Sequence, residues 1–187
     1  MRAQRPAGAA PALDAVAEDL PFGDDSFDAA MATVTIHQWT DWERGLRELR
    51  RVSRGPVVIL TFDPGSVPGW WLNDYVPQML QAEAARYPTI EKICAVLGGT
   101  VGVRAVPIPL DCADGFTEAY YGRPEAFLDK GVRAAQSAWQ FADAAAVAAG
   151  LGRLAEDLAS GEWDARYGHL RTQPEFVGAA RLVVANG

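Results

Sequence analysis

Two histidines, His37 and His169, are the residues of this 187-residue chain best suited by type to move a proton near neutral pH. A neutral imidazole, with an ordinary pKa of about 6.5, can take a proton from a hydroxyl or an amine. His37 stands in Thr35-Ile36-His37-Gln38-Trp39, between a strand pattern and a helix pattern. His169, in Arg166-Tyr167-Gly168-His169-Leu170, has the polar setting of a structural or surface residue. No Ser-His-Asp order, H-E-x-x-H or phosphate-binding glycine loop accompanies either. Asp24, Asp25 and Asp28 lack the alternating spacing and terminal Glu of a calcium loop and read as a solvated turn. Cys94 and Cys112 have no second C-x-x-C and no nearby His, so a disulfide framework and a thiolate zinc site are both excluded. No metal is expected. Two aromatic clusters remain: Trp70, Trp71 and Tyr75, then Phe116, Tyr120, Tyr121, Trp139 and Phe141. Such walls suit a small apolar or aromatic ligand, and equally the core of a helical cap.

The elements that must position these residues belong to one domain spanning 1–187, with 49% apolar residues and a mean hydropathy of −0.05. The net charge of −7 repels polyanions, which excludes nucleic acid as a partner. No signal-peptide core and no apolar run of roughly 20 residues can be drawn, so a cytoplasmic protein without a membrane partner is expected. Residues 1–13 read as a frayed helix end and connector, and Leu13–Ala17 as a short strand. Phe27–Thr33 reads as a strand of small residues. Thr40-x-x-Glu43 forms a capping box before Trp42, Leu46, Leu49 and Val52 at helical spacing. Arg47, Arg50, Arg51 and Arg54 crowd the far end of that helix, and Arg44–Arg54 read as a solvated face. The unbroken run Val57–Phe62 suits a central parallel strand covered on both faces. Strand, helix and strand within about 35 residues make a βαβ crossover. Beyond it the pattern predicts a helix over Thr89–Leu97 and a strand over 101–110 broken by Pro107 and Pro109. Helices are expected over Pro124–Asp129, Val132–Ala149 and Leu151–Leu158, and a buried strand over Ala180–Ala185.

Residues 17–39, A-E-D-L-P-F-G-D-D-S-F-D-A-A-M-A-T-V-T-I-H-Q-W, followed by L-R-E-L-R-R-V (46–52) and V-V-I-L-T-F (57–62), resemble the middle of a class I S-adenosylmethionine-dependent methyltransferase. The resemblance is detailed over 15–63 and looser beyond. It implies an α/β fold with a Rossmann-like sheet and a helical insertion or lid. Residues 1–63 would be a partial cofactor-binding core, 64–100 and 111–178 insertion elements, and 101–110 and 179–187 late strands. The family's glycine-rich turn and second-strand acid have no counterpart, since no G-x-G occurs in residues 1–62. The sheet is therefore expected to be incomplete at its N-terminal side, with weakened cofactor binding and an exposed edge that makes the chain a homo-oligomer.

The resemblance implies S-adenosyl-L-methionine as cofactor and a small-molecule methyl acceptor as partner. Val16 stands where the family often has an Asp that accepts from the adenine amine. That contact would fall to the backbone of Ala17 and Glu18 or to the Glu18 and Asp19 carboxylates. Ala32 and Thr33 end the fourth strand of the family's sheet, at the edge where open α/β sheets bind ligands. His37 would lie beside the transferable methyl, either as a base or as a residue that fixes the turn. Trp70, Trp71, Tyr75, Tyr120 and Tyr121 would form the substrate pocket. The expected activity is methyl transfer to a small organic acceptor. A non-catalytic domain acting through self-association or a partner is the alternative.

Overall fold

The computed structural model describes residues 5, 6 and 8–186. Of the expected N-terminal helix end, Met1–Gln4 and Ala7 lie outside the described residues, and residues 8–13 carry no helix. The expected strand over Leu13–Ala17 does not form. Leu13 and Val16 are 63% and 61% exposed, and among the described residues no strand pairs with them and Val16 makes only a single bridge, to Asp19. The Asp19 N–H turns back onto the Val16 carbonyl at 3.2 Å.

Strand β1 (Ala30–Thr33) is followed by a 3-10 turn at Ile36–Gln38, helix α1 (Trp42–Val52) and strand β2 (Val57–Phe62). β1 and β2 pair in parallel, Ala32 opposite Ile59, as the βαβ pattern requires. The cap of α1 differs from the expected box by one residue. Asp41, not Thr40, accepts from the Arg44 N–H at 3.0 Å. The Asp41 N–H itself donates to Glu18 Oε1 at 2.9 Å, so the carboxylate that a box would draw from Glu43 comes from a distant turn.

Helices α2 (Pro77–Ala84) and α3 (Ile90–Leu97) lead to strand β3 (Thr100–Ala105). Strand β4 (Ile108–Pro109) follows a break at Val106-Pro107, because proline cannot continue the ladder. The Ala-rich stretch expected as one helix over Val132–Ala149 is divided. Helix α4 (Lys130–Ala134) stops before an extended Gln136, a 3-10 turn covers Ser137–Phe141, and α5 (Ala144–Ser160) restarts on Asp143, which accepts from the Ala146 N–H at 2.8 Å. Anchoring and capping thus override propensity, and α5 runs unbroken through the Gly150 that separated two expected helices. Helix α6 (Glu162–Tyr167), strand β5 (Glu175–Phe176) and strand β6 (Ala180–Asn186) complete the described chain.

The main sheet has the order β1-β2-β6-β3, with β6 antiparallel to both neighbours, so β2 is central in a mixed sheet rather than a wholly parallel one. Its alternate residues Val57, Ile59 and Thr61 are fully buried while Val58 and Leu60 are only partly so, which makes one face of the sheet the better covered. On that face Leu46 and Leu49 of α1 and Ile90, Ile93 and Leu97 of α3 close over Ala32, Val57, Ile59 and Val183. A second core gathers Trp71, Tyr75, Tyr121, Phe127 and Trp163 within the helical elements between β2 and β6.

Candidate active site

The carboxyl ends of β1 and β2 open onto the helical layer, and a cavity of about 460 Å³ lies between them. Val34 leaves β1 with φ 48°, its N–H held by the Leu60 carbonyl at 2.8 Å. The next turn sinks Ile36 into the core and leaves His37 half-buried at the cavity wall. Phe62 ends β2 on the same wall. Trp70, Leu80, Glu83 and Tyr87 line it from one side, and Phe116, Glu118 and Gln136 from another.

His37 stacks at a tilt on Tyr87, with ring centroids 4.4 Å apart. Burial lowers its pKa below the usual histidine range, the nearby Arg86 charge adds to this and Glu83 opposes it, so the ring is neutral at pH 7. Nδ1 is shut off from solvent with no protein partner among the described residues, and Nε2 lies 3.4 Å from the Gln38 amide nitrogen. The Gln38 amide nitrogen can only donate, so in this contact Nε2 is the acceptor and the ring proton sits on the occluded Nδ1. Arg86 is spent on Glu83 Oε2 at 2.6 Å and Ser137 Oγ at 3.2 Å.

Glu118, a residue that sequence reasoning missed, is only 7% exposed. Its carboxylate oxygens accept from the Ala179 N–H at 3.0 and 2.9 Å. Burial pushes its pKa up to about 7, against the pull of that hydrogen bond and of the Arg181 charge. The signal in the sequence is a lone acid within the aromatic run Phe116-Thr117-Glu118-Ala119-Tyr120-Tyr121. Gln136 was missed too. Its Oε1 accepts from Thr117 Oγ1 at 3.0 Å and Trp139 Nε1 at 3.1 Å, which fixes the amide against the segment that carries Glu118.

Of the five aromatic residues expected around a substrate, the structure places Trp70 on the cavity and the other four within the helical core. Trp71 Nε1 donates to the Tyr121 carbonyl at 2.9 Å, Tyr75 Oη to Asp157 at 2.7 Å and Tyr121 Oη to the Gln173 carbonyl at 2.6 Å. Tyr120 packs edge-on to Phe127. The polar tips of Trp71, Tyr75 and Tyr121 are used in holding that core together.

The residues expected at a cofactor are spread along one edge. Ala17 lies against Gly45 of α1, where a Cβ would meet it at 3.3 Å. Val16 and Asp19 are exposed, Glu18 Oε1 is taken by the Asp41 N–H, Ala32 is buried under α1 and Thr33 is exposed at the end of β1. An exposed apolar side chain beside a carboxylate fits a flat heterocycle with an amino donor, so this donor set suits an adenine. The acidic loop behind it is fastened by Arg51, which reaches the Leu20 and Phe22 carbonyls at 3.1 and 2.8 Å and Asp24 at 2.8 Å. Arg54 pairs with Asp28. Of the arginines expected as a solvated face, Arg51 and Arg54 therefore clamp the loop, with Asp24 and Asp28 of the expected solvated turn as their partners, while Arg47 pairs with Glu43 on the exposed face. Among the described residues no group of three or more His, Cys, Asp or Glu could hold a metal, and no helix is long and apolar enough to cross a membrane.

Residues 1–59 match the family model of a methyltransferase domain. A 67-residue stretch is 36% identical to 2-methyl-6-phytyl-1,4-hydroquinone methyltransferase 2, chloroplastic, of Oryza sativa subsp. japonica. That match covers 36% of this chain and spans only 19% of the length of the curated relative. The crystal structure of a "Putative methyltransferase from antibiotic biosynthesis pathway" of Anabaena variabilis ATCC 29413 superposes with a TM-score of 0.84 and 31% identity, over 92% of this chain and 72% of that one. A sheet in which β6 runs antiparallel between β2 and β3, a cavity at its carboxyl edge and a relative alike over nearly the whole chain agree: the chain belongs to the class I S-adenosylmethionine-dependent methyltransferases.

Proposed function

We propose that the protein transfers a methyl group from S-adenosyl-L-methionine to a small organic acceptor bound in the cavity at the carboxyl ends of β1 and β2. The observation that carries this reading is the cavity itself: about 460 Å³, with Phe62, Trp70, Leu80 and Phe116 as apolar walls and His37, Glu83, Glu118 and Gln136 among its polar groups. When bound, the cofactor supplies an electrophilic methyl on a sulfonium. Val16, Ala17 and Asp19 would hold its adenine side, and the end of β1, buried at Ala32 and exposed at Thr33, would back it. Glu18 serves by capping α1 through Asp41 and so fixes the turn that carries Asp19.

The chain's own contribution is alignment. Apolar walls exclude water and orient the acceptor, and holding nucleophile and methyl in line supplies most of the rate in such a displacement. His37 acts as a positioning residue: its neutral ring, stacked on Tyr87, sets the turn after β1. The test is incubation of the protein with methyl-tritiated S-adenosylmethionine and a panel of small ring hydroxyl, amine and thiol compounds. Label is expected in an organic-extractable product. Cofactor binding by calorimetry without label transfer to any member of the panel would favour a non-catalytic domain and overturn the reading.

A further inference from the structure

We propose that Glu118 is a catalytic residue of this site, accepting the hydroxyl proton of an uncharged hydroxylated ring compound held in the cavity. The inference rests on the methyl-transfer reading and deepens it by naming the substrate class and the base. Three independent features of the fold converge on this carboxylate. It lines the cavity, on a wall it shares with Phe116 and Gln136. It is held in one orientation by the Ala179 N–H. And it occupies space that only a glycine leaves open, because a Cβ on Gly178 would lie 2.5–2.6 Å from its carboxylate atoms. Salt-bridged surface glutamates need no such recess. Here a desolvated carboxylate lines the cavity without a direct cationic partner among the described residues.

The charges around it select the acceptor. Arg181 of β6 lies close enough to pull on Glu118, yet its guanidinium is bonded elsewhere, to the Gly178 and Ala180 carbonyls, Ser66 and Asp63. Asp114 lines the cavity from the same loop, and His37, Glu83 and Tyr87 line it from across. Glu83 is neutralised by Arg86. The burial that raises the pKa of Glu118 also penalises bringing a second ion into the same recess, so an uncharged hydroxyl is favoured over an ammonium. A carboxyl that titrates near 7 is also matched to removing a proton at neutral pH. In the step, the acceptor O–H bond breaks and its proton passes to a Glu118 oxygen. The freed oxygen lone pair forms the O–CH₃ bond, and the electron pair of the breaking S–CH₃ bond stays on sulfur as a neutral thioether. Glu118 then returns its proton to solvent.

The experiment is calorimetric binding without cofactor, which separates this inference from the activity on which it rests. The probes are 4-propylphenol, its methyl ether 4-propylanisole, and 4-propylbenzylamine. Wild type is expected to bind the phenol about tenfold tighter than the ether at pH 8, as a charge-assisted hydrogen bond allows, and to lose that preference at pH 5.5 where Glu118 is protonated. Glu118→Gln should show little preference at either pH, with its fold checked by thermal melting. Gly178→Ala, which keeps the carboxylate but crowds it, should also lose the preference. Equal affinity for phenol and ether in wild type, tighter binding of the ammonium, no binding of any probe, or an undiminished preference in Glu118→Gln would each overturn the proposal. A Glu118-dependent phenol preference in a protein that transfers no methyl group would instead overturn the methyl-transfer reading.

Discussion

Arg51 grips Glu48 with two parallel hydrogen bonds, Nε to Oε1 and Nη2 to Oε2, both 2.7 Å, one turn apart on α1. The pair is more than a surface contact, since Glu48 Oε2 also accepts from the Leu20 N–H at 2.9 Å and Arg51 reaches the carbonyls on either side of Pro21. Together they tie the loop at 20–24 to the helix. Arg51→Lys cannot form the fork, so both it and Arg51→Ala should lower the melting temperature and speed chymotryptic cleavage at Phe22 and Phe27. The Arg51 guanidinium and the Leu20 N–H hold the Glu48 pKa down at about 2. A depressed carboxyl contributes stability above its ordinary pKa that is lost as pH falls toward the depressed value. Wild type should therefore lose stability between about pH 4.5 and 2, and Glu48→Gln should lose less over that window.

Two glycines of α5 should respond oppositely to the same substitution. A Cβ on Gly150 would collide with the Tyr75 carbonyl oxygen and lie 2.8 Å from Val76 Cγ1, against backbone that cannot step aside. Gly150→Ala should destabilise by about 1–3 kcal/mol or more. Gly152 is exposed, and a methyl group there would have nothing within 4 Å, so Gly152→Ala should gain about 1 kcal/mol of helix propensity. For a chain of this size each kcal/mol moves the melting temperature by roughly 2–4 °C, within reach of calorimetry. A stabilised Gly150→Ala would contradict the close approach of α5 to Tyr75.

Glu118 also predicts an unusual pH dependence of folding. Its pKa is raised from 4.5 to about 7, so the folded state holds the proton more tightly than the unfolded one. That contribution is complete below about pH 4.5 and lost as pH rises through about 7, the reverse of Glu48. Relative to wild type, Glu118→Gln should thus melt progressively higher between pH 5 and pH 8. A constant difference across that range would show the carboxyl to be unperturbed.

His37 titrates in the opposite sense. A depressed imidazole contributes stability that is complete above its ordinary pKa of about 6.5 and lost as pH falls below it. His37→Phe keeps a ring against Tyr87 and removes the titration, so its stability should fall less than that of wild type between pH 6.5 and 5.5. The ring protons of His37, followed by NMR, should report a midpoint below 6.5. A midpoint above it would place a negative partner beside Nδ1 that the structure does not contain among its described residues.

Helix α1, strand β2 and strand β6 were legible because each carries its own periodicity: Leu46, Leu49 and Val52 at helical spacing, and apolar runs at 57–62 and 180–185. The strand assigned to Leu13–Ala17 was not, because five residues of suitable type say nothing about whether a partner lies beside them. Nor was the division of the Ala-rich segment, where Gln136 is drawn out of the helix by Thr117 and Trp139. At the site, His37 could be placed from its local motif, and the structure sets it on the cavity wall. The pairing of Glu118 with Gly178 and Ala179 could not be placed, since it joins positions some 60 residues apart and depends on an absent side chain.

The position of β6 also bears on how the chain reaches its fold. β2 and β6 pair with more than a hundred residues between partners, and the helical elements around Trp71, Phe127 and Trp163 fill that interval. Closing so long a loop is entropically costly before any contact rewards it, which slows folding relative to a chain of local contacts. Until β6 docks, one long edge of the apolar strand β2 and the edge of β3 stand open to any other extended segment. The interval before that docking is when the chain is most exposed to aggregation, and anything that hastens the assembly of the intervening helices shortens it.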